Sequence, residues 1–261
     1  MLIKRISGYF RLFVSLNIIK TFYFNFKVFS WPIARKLPVY FFGPVKFASL
    51  KGKVILDANV VSRGMIQFGC KEENVIATRE PTRLKIDGEL VFKGKSKFAH
   101  AIQLLVWDNG RLTIGNNSWM GSFTKLVAFR SIDIGNNFLA SWECQIFDTD
   151  FHFIENTIAG TIGDPNGIVV IGENVWLGSR STILKNTILP GYCIVASGST
   201  CNKDYSSSCP PGSVIGGMPA KFIKEGVRYI DDKQLEKKLF QHFQQPGNYN
   251  GMIERNQLKN K

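Results

Sequence analysis

Histidine is the side chain best suited to proton transfer near neutral pH, and this chain has only three, His100, His152 and His242. His152 follows Asp148 by four residues and Asp150 by two. A neutral imidazole can take a proton from a reacting hydroxyl, and a neighbouring carboxylate can fix its tautomer and stabilise the imidazolium. The segment therefore combines the residue types that proton transfer uses, an imidazole at His152 with Asp150 or Asp148 as the carboxylate that could orient it. The alternatives are a turn-capping role for Asp150 and a surface-loop position without chemistry for His152.

After the His152 segment the sequence repeats every six residues. An apolar side chain recurs at this interval, and a small or β-branched residue follows each of the first five by four positions. The apolar positions are Ile171, Leu177, Ile183, Leu189, Val195 and Cys201, and the small or β-branched ones are Val175, Ser181, Thr187, Cys193 and Ser199. A period of six fits neither an amphipathic helix nor an alternating strand. It predicts a solenoid of short strands around a narrow triangular interior.

The same repeat appears earlier in the chain. The phrase Ile-Gly-x-Asn starts at Ile114, at Ile134 and again at Ile171. Between Ile146 and Ile171 the count of six fails. A solenoid coil has no interior room for such a segment, so residues 147–168 are predicted to form an extruded loop. Long loops on a compact scaffold usually carry function.

These repeats, with the closing segment Pro-Pro-Gly-Ser-Val-Ile-Gly-Gly-Met-Pro-Ala-Lys ending at Lys221, resemble the hexapeptide-repeat acyltransferases. Met218 stands where many members carry Asn. The resemblance spans roughly residues 54–225 and implies an all-β fold, the left-handed parallel β-helix. It also implies an acyl-CoA donor, with His152 taking the proton of an acceptor hydroxyl as that hydroxyl attacks the thioester.

The resemblance further implies where the donor binds. In the family, the pantetheine arm lies between neighbouring β-helices and basic side chains meet the nucleotide phosphates. The matching positions here are Trp176, Gly178, Ser179, Ser197, Gly198, Lys203 and Lys221. A backbone N–H near Gly178 or Ser179 would stabilise the oxyanion. A homotrimer with interfacial sites is expected, since one prism with flat faces has no deep groove. Apart from the resemblance, the lysines are ordinary solvated side chains and Trp176 an aromatic at a subunit contact.

The net charge of +13 is concentrated in residues 1–53, which hold ten Lys or Arg and no Asp or Glu, together with thirteen aromatic residues. The charges in residues 1–30 interrupt every apolar run short of the ~20 residues that a membrane span needs. No small-residue cleavage site of a secretory signal follows them. This composition predicts a helical extension that contacts an anionic membrane or caps the open end of the solenoid.

Three regions are therefore predicted: a basic aromatic extension over 1–53, the β-helix over 54–225 with its loop, and a C-terminal helix with a mobile tail over 226–261. The five cysteines form no CxxC pair and are interpreted as core thiols in a reducing compartment. The chain contains no phosphate-binding GxxxxGK[ST] motif and no GxSxG motif of serine hydrolases.

The sequence thus predicts a cytoplasmic, peripherally membrane-associated acetyl-CoA:saccharide O-acetyltransferase that acts on a surface-polysaccharide or lipid-linked glycan precursor. Neither a metal nor a nucleic acid is expected as a partner. Three alternatives stay open: transfer to the amine of an amino sugar, a metal-dependent lyase on the same helix, and a non-catalytic β-helix scaffold. The acceptor position and the length of the acyl chain also stay open.

Overall fold

A computed structural model describes residues 16–70, 78–245, 247 and 251–253 of the chain. The helices in this part are α1 (Ile18–Val28), α2 (Trp31–Ala34) and α3 (Lys233–Phe243). The strands before the loop are β1 (Val39–Phe41), β2 (Val45–Leu50), β3 (Lys53–Leu56), β4 (Ile66–Phe68), β5 (Thr82–Ile86), β6 (Glu89–Phe92), β7 (Ser96–Phe98), β8 (Gln103–Val106), β9 (Arg111–Ile114), β10 (Ser118–Met120), β11 (Lys125–Ala128), β12 (Ser131–Ile134), β13 (Leu139–Ala140) and β14 (Gln145–Phe147). The remaining strands are β15 (Glu155–Asn156), β16 (Thr161–Ile162), β17 (Ile168–Ile171), β18 (Trp176–Leu177), β19 (Thr182–Ile183), β20 (Thr187–Leu189), β21 (Ile194–Val195), β22 (Thr200–Cys201), β23 (Val214–Gly217) and β24 (Ala220–Lys224).

Each of the first six coils contributes one strand to each of three sheets. The first sheet has the order β1-β4-β7-β10-β13-β18-β21-β23-β24, the second β2-β5-β8-β11-β14-β19-β22, and the third β20-β17-β12-β9-β6-β3. Neighbouring strands run parallel, except that β24 folds back antiparallel on β23. The fold is the predicted left-handed parallel β-helix.

The interior is filled by the residues of the six-residue repeat. In the third sheet, Ile114 pairs with Ile134, Ile134 with Ile171, and Ile171 with Leu189, so the aliphatic side chains stack from coil to coil. Every apolar and small position of the repeat from Ile171 to Cys201 is buried. The periodicity therefore identified the interior residues correctly.

The recurring Ile-Gly-x-Asn phrase has a geometric cause. Asn117, Asn137 and Asn174 adopt left-handed backbone conformations, with φ of 59°, 55° and 56°. The side-chain amide of Asn117 donates to Asn137, and that of Asn137 donates to Asn174, each at 3.1 Å. A Cβ atom on Gly135 would come within 2.7 Å of the Gly172 backbone, so the corner admits only glycine there.

The β-helix begins earlier than predicted. β1 and β2 already lie in the first and second sheets, with Val39 paired to Ile66, so the predicted boundary between residues 53 and 54 is wrong. α1 packs against this first coil: the Asn25 side chain donates to the Val39 carbonyl at 2.7 Å, and the Phe41 N–H donates to the Thr21 hydroxyl at 3.1 Å. The predicted helical cap is therefore present. The part of the extension in residues 1–15 lies outside the described residues.

The described residues from Arg228 onward form a separate compact unit. Its helix α3 begins after Asp232, whose side chain accepts hydrogen bonds from the N–H groups of Gln234 and Leu235, each at 3.0 Å. This agrees with the predicted C-terminal helix. The predicted mobile tail lies almost entirely outside the described residues. No helix in the described part of the chain is both long and apolar enough to cross a bilayer.

Candidate functional site

The predicted loop leaves the β-helix at the edge between the second and third sheets. β14 ends at Phe147 and the third sheet resumes at Ile168, so residues 148–167 replace a short turn. This edge, the loop corner, carries from the neighbouring coils residues 107–110, 129–130 and 184–186. Within the loop, β15 and β16 form an antiparallel hairpin. Residues 151–164 are exposed, which confirms that the segment is extruded.

Asp148 anchors the start of the loop. Its side chain is buried, and its two carboxylate oxygens accept hydrogen bonds from the backbone N–H groups of Phe129 and Arg130 at 2.7 and 2.8 Å. Burial raises the pKa of this carboxyl, while the backbone hydrogen bonds act in the opposite direction. The predicted contact between Asp148 and His152 is not formed, because both oxygens are engaged by the neighbouring coil.

Two cations from adjacent coils hold the rest of the loop base. Lys185 Nζ lies 2.6 Å from a carboxylate oxygen of Asp150 and donates to the Asp164 carbonyl at 3.1 Å. The guanidinium of Arg130 pairs with the Asp164 carboxylate and donates to the Asn166 carbonyl at 3.3 Å. The hydrogen bond from the Asn166 N–H and the ion pair with Arg130 both keep the pKa of Asp164 below its usual value. Asp150 is thus paired with a lysine in this structure, and its role in orienting the imidazole stays a prediction.

His152 itself is exposed, and no hydrogen bond or ion pair joins its ring to another described residue. The residue before it, Phe151, has a φ of 64°, a conformation that costs a non-glycine residue about 1 kcal/mol or more. Its N–H donates to Thr149 Oγ1 at 3.0 Å. Its ring meets those of Phe129 and Phe147 edge-on, at centroid distances of 5.8 and 5.7 Å. The backbone at His152 is therefore fixed while the imidazole is accessible.

The predicted donor-binding glycines and serines lie on another edge, between the first and second sheets. This donor corner carries residues 141–144, 178–181 and 196–199. The N–H of Gly178 donates to the Val195 carbonyl at 2.8 Å, and that of Gly198 to the Ser179 carbonyl at 2.9 Å. The N–H groups of Ser179 and Ser197 have no acceptor in the described part of the chain. Of the two predicted oxyanion donors, the Ser179 N–H is therefore available, whereas the Gly178 N–H already donates to the Val195 carbonyl.

The other predicted donor contacts are spread over the surface. Trp176 is half-buried in the first sheet, and its indole N–H donates to Ser141 Oγ at 3.1 Å. Lys203 is exposed at the loop corner, one coil beyond Lys185. Lys221 is exposed on β24, at the end of the first sheet. Only Lys203 shares an edge with the loop.

Within one protomer, the predicted base and the predicted donor turns lie at opposite edges of the second sheet. The loop with His152 follows β14, whereas the turn with Gly178 and Ser179 precedes β19, the neighbouring strand of the same sheet. His100 also lies at the donor corner, so it does not adjoin His152. The structure therefore does not bring the predicted base and donor residues together in a single chain.

Sequence reasoning missed Arg130 and Lys185, although the coil register would have identified them. Leu126 pairs with Ile146, and Ile146 with Ile183, so these three residues occupy equivalent positions in successive coils. The residues shortly after Leu126 and Ile183 must then flank the loop that follows Ile146. Their basic character was the available signal, because the loop base is rich in aspartate.

A groove of about 640 Å³ lies at the third edge, between the third and first sheets, and contains none of the predicted site residues. Its polar lining includes Asp57, Lys93, Lys95, Asn116 and Asn136. Across residues 16–70 and 78–245, no group of three or more His, Cys, Asp or Glu side chains is arranged to hold a metal ion.

No protein-family model matches the chain. Its sequence is 26% identical over 157 residues to the putative lipopolysaccharide biosynthesis O-acetyl transferase WbbJ of Escherichia coli, covering 56% of this chain and 77% of that protein. It is 26% identical to the probable acetyltransferase Rv3034c of Mycobacterium tuberculosis, covering 65% of this chain and 53% of that protein. It is 27% identical to the galactoside O-acetyltransferase of Escherichia coli, covering 43% of this chain and 63% of that protein. The alignment thus spans less than two thirds of the last two relatives.

Among solved structures, the polySia-specific acetyltransferase NeuO aligns with a TM-score of 0.46 and 16% identity, covering 77% of this chain and 98% of that one. A galactoside acetyltransferase in complex with coenzyme A aligns with a TM-score of 0.37 and 23% identity, covering 48% and 64%. TM-scores below 0.5 do not support a functional assignment, so the comparison depends on the coils of the β-helix and on the sequence relatives. On those grounds the chain has the left-handed β-helix fold and resembles the hexapeptide-repeat acyltransferases, in particular the bacterial saccharide O-acetyltransferases.

Proposed function

We propose that the protein transfers an acetyl group from acetyl-CoA to a hydroxyl of a saccharide, with His152 as general base. The observation that best supports this is the accessible imidazole on a loop whose base is tied down by Asp148, Arg130 and Lys185. A general base must be held in place and still reach its substrate, and a free ring on a fixed backbone meets both needs. The names of two sequence relatives favour transfer to oxygen.

In the proposed reaction, the neutral imidazole of His152 removes the proton of the acceptor hydroxyl as its oxygen attacks the thioester carbonyl. The negative charge that develops on the carbonyl oxygen is stabilised by a hydrogen bond from the Ser179 N–H of the donor corner. Collapse of this intermediate breaks the C–S bond, and the imidazolium returns its proton to the departing thiolate. The products are an acetyl ester and free coenzyme A, and His152 is neutral again.

The donor is assigned to the donor corner and its surroundings. The pantetheine arm would run along the residues Trp176, Gly178, Ser179, Ser197 and Gly198, and the phosphates would meet Lys203 and Lys221. The glycine is required there for packing, since a Cβ atom on Gly178 would come within 2.6 Å of the Ser197 nitrogen. Small residues at a corner allow a thin ligand to approach the backbone closely.

A complete site requires more than one protomer. His152 and Ser179 lie at opposite edges of the second sheet, so a base and an oxyanion donor can meet only where the loop corner of one chain faces the donor corner of another. A closed ring of three such contacts repeats one heterologous interface. We therefore propose a homotrimer with three interfacial sites.

The acceptor is proposed to be a surface-polysaccharide or lipid-linked glycan precursor. The first relative is named for lipopolysaccharide biosynthesis, and such precursors are amphiphilic. The protein would then work in the cytoplasm as a peripheral protein on the inner face of the cell membrane. Transfer to the amine of an amino sugar is the alternative reaction, and a non-catalytic scaffold is the alternative function.

The test measures coenzyme A release by the full chain from acetyl-CoA with a panel of saccharides, followed by mass spectrometry of each product before and after mild base. Base-labile products indicate esters, whereas amides persist. His152→Ala should lower kcat by about 10²–10⁴-fold, and acetyl-CoA binding measured by calorimetry should stay within a few-fold of wild type. His242→Ala is the matched control. Activity of His152→Ala close to wild type would refute the base, and absence of acetyl-CoA binding would favour the scaffold.

A further inference from the structure

Helix α1 and the start of α2 present a continuous apolar surface to solvent. Ile19 is 80% exposed and Trp31 68% exposed. The full set, called here the aromatic face, is Ile18, Ile19, Phe22, Tyr23, Phe26 and Trp31. The rings of Phe22 and Phe26 stack at 6.1 Å, and that of Phe26 lies 5.4 Å from Trp31. Contiguous exposed apolar surface of this kind marks an interaction site, unlike isolated exposed residues.

Apart from Tyr23, the aromatic face is not the face by which the helix packs. Thr21, Phe24 and Asn25 are buried against the first coil, where Phe24 lies 5.1 Å from the Phe41 ring. The helical period of 3.6 residues places Phe22 and Phe26 away from that contact, whereas Tyr23 lies at its margin, with its ring stacked on that of Phe47 at 5.9 Å. Packing on the β-helix therefore accounts for Tyr23 but not for the other five residues of the aromatic face.

The charge around the aromatic face has one sign. Lys27 lies four residues after Tyr23 and Arg35 four residues after Trp31, and both cations are exposed. Residues 16–53 hold seven Lys or Arg and no Asp or Glu. Such a segment repels basic partners and attracts an anionic surface.

We propose that the aromatic face docks the protein onto the surface of an anionic phospholipid bilayer. Tyr and Trp favour the level of the headgroups, aliphatic and Phe side chains enter the acyl boundary, and Lys and Arg attract anionic headgroups. With eleven residues, α1 is too short to span the bilayer and lies in the interface plane. This proposal names the protein surface and the class of lipid for the peripheral membrane location proposed above. It rests on that location and not on acyl transfer.

The test is co-sedimentation of the full chain with two kinds of vesicle, phosphatidylcholine alone and phosphatidylcholine mixed with phosphatidylglycerol. The chain should bind the mixed vesicles, and added salt should weaken this binding. The variant Ile19→Ser/Phe22→Ser/Phe26→Ser should bind about tenfold less or weaker still, since each buried apolar group contributes to partitioning. The emission of Trp31 should shift to the blue on binding, and Trp31→Phe should lose that shift.

Matched controls distinguish binding through the aromatic face from binding through exposed apolar or basic residues elsewhere on the protein. Val60→Ser removes an apolar side chain that is 73% exposed elsewhere on the β-helix and should leave vesicle binding unchanged. Lys27→Glu/Arg35→Glu should weaken binding, whereas Lys93→Glu/Lys95→Glu should not. Melting temperature and coenzyme A release with a soluble acceptor should be the same in all variants, so that failed docking and failed catalysis are distinguishable.

Two results would overturn the proposal. One is absence of binding of the full chain to the mixed vesicles. The other is unchanged binding in the triple variant. If a second copy or residues 1–15 cover the aromatic face instead, the triple variant should alter the mass measured by light scattering or the melting temperature, without an effect on vesicles.

Discussion

The ring of Phe151 meets the ring of Phe129 edge-on, with their centroids 5.8 Å apart and their planes at 83°. Phe129 in turn stacks on Trp107 of the preceding coil at 4.9 Å, and the Lys85 ammonium lies 3.6 Å from the centre of the Trp107 ring. This column runs along the loop corner and ends beside His152. It holds Phe151 in its left-handed conformation, which the residue would otherwise leave.

Phe129→Ala should therefore lower kcat without changing the KM for acetyl-CoA. Removal of the ring frees Phe151 to relax, and the imidazole one residue later loses its fixed position. Misplacement of a catalytic group by about 1 Å can cost about 10²-fold in rate. Steady-state kinetics of Phe129→Ala and Phe129→Tyr provide the measurement. The tyrosine variant keeps the edge-on contact and should retain most of the activity, whereas equal losses in both variants would argue against positioning by the ring.

The Asp150–Lys185 ion pair supports a second prediction. If the pair serves to hold the loop, Asp150→Asn and Lys185→Ala should lower kcat by similar factors, and the double variant should lose little more than either single one. If Asp150 instead orients the imidazole during the reaction, Asp150→Asn should cost far more than Lys185→Ala. A double-mutant cycle on kcat distinguishes the two. The pair of Arg111 and Glu89 on the third sheet, at 2.9 Å, is the control and should show little coupling.

Much of the fold could be predicted from the sequence because each six-residue repeat corresponds to one strand and one turn of a coil. Two positions of each repeat from Ile171 to Cys201 fill the interior, so one side chain had to be apolar and the other small or β-branched. The failure of the repeat after Ile146 likewise identified the loop. The coil from Val39 to Leu56 was missed because its strands are separated by unequal turns and lack the count of six.

The site was less predictable, since spacing along a loop does not give the direction of a side chain. Asp148 and Asp150 stand four and two residues before His152, yet one faces the backbone N–H groups of another coil and the other faces Lys185. Both partners are distant in sequence. Their identity depends on the register between coils, which emerges only when the β-helix is assembled.

Gly135 and Gly163 provide a matched test of the corner geometry. A Cβ atom on Gly135 would lie 2.6 Å from the Glu173 nitrogen, and backbone atoms of the next coil cannot move aside singly. Gly135→Ala should lower the free energy of unfolding by roughly 1–3 kcal/mol. A Cβ atom on Gly163 meets nothing within 4 Å, so Gly163→Ala should be neutral or slightly stabilising. Equal urea midpoints for the two variants would contradict the close approach of the coils.

The buried carboxyl of Asp148 predicts a pH dependence of stability with a definite sign. Burial raises its pKa above the ordinary value of 3.8, so between these two values the folded protein binds more protons than the unfolded chain. The free energy of unfolding must therefore fall as pH rises from 3.8 through the raised pKa, and then level off. Asp148→Asn removes this component, so the difference in stability between wild type and variant should shrink over that window.

The exposed Asp164 has a lowered pKa and gives the opposite sign, with a contribution that is lost as pH falls below 3.8. Urea unfolding of wild type, Asp148→Asn and Asp164→Asn across a pH series measures both, and a stability difference for Asp148→Asn that grows with pH would show that the backbone hydrogen bonds outweigh burial.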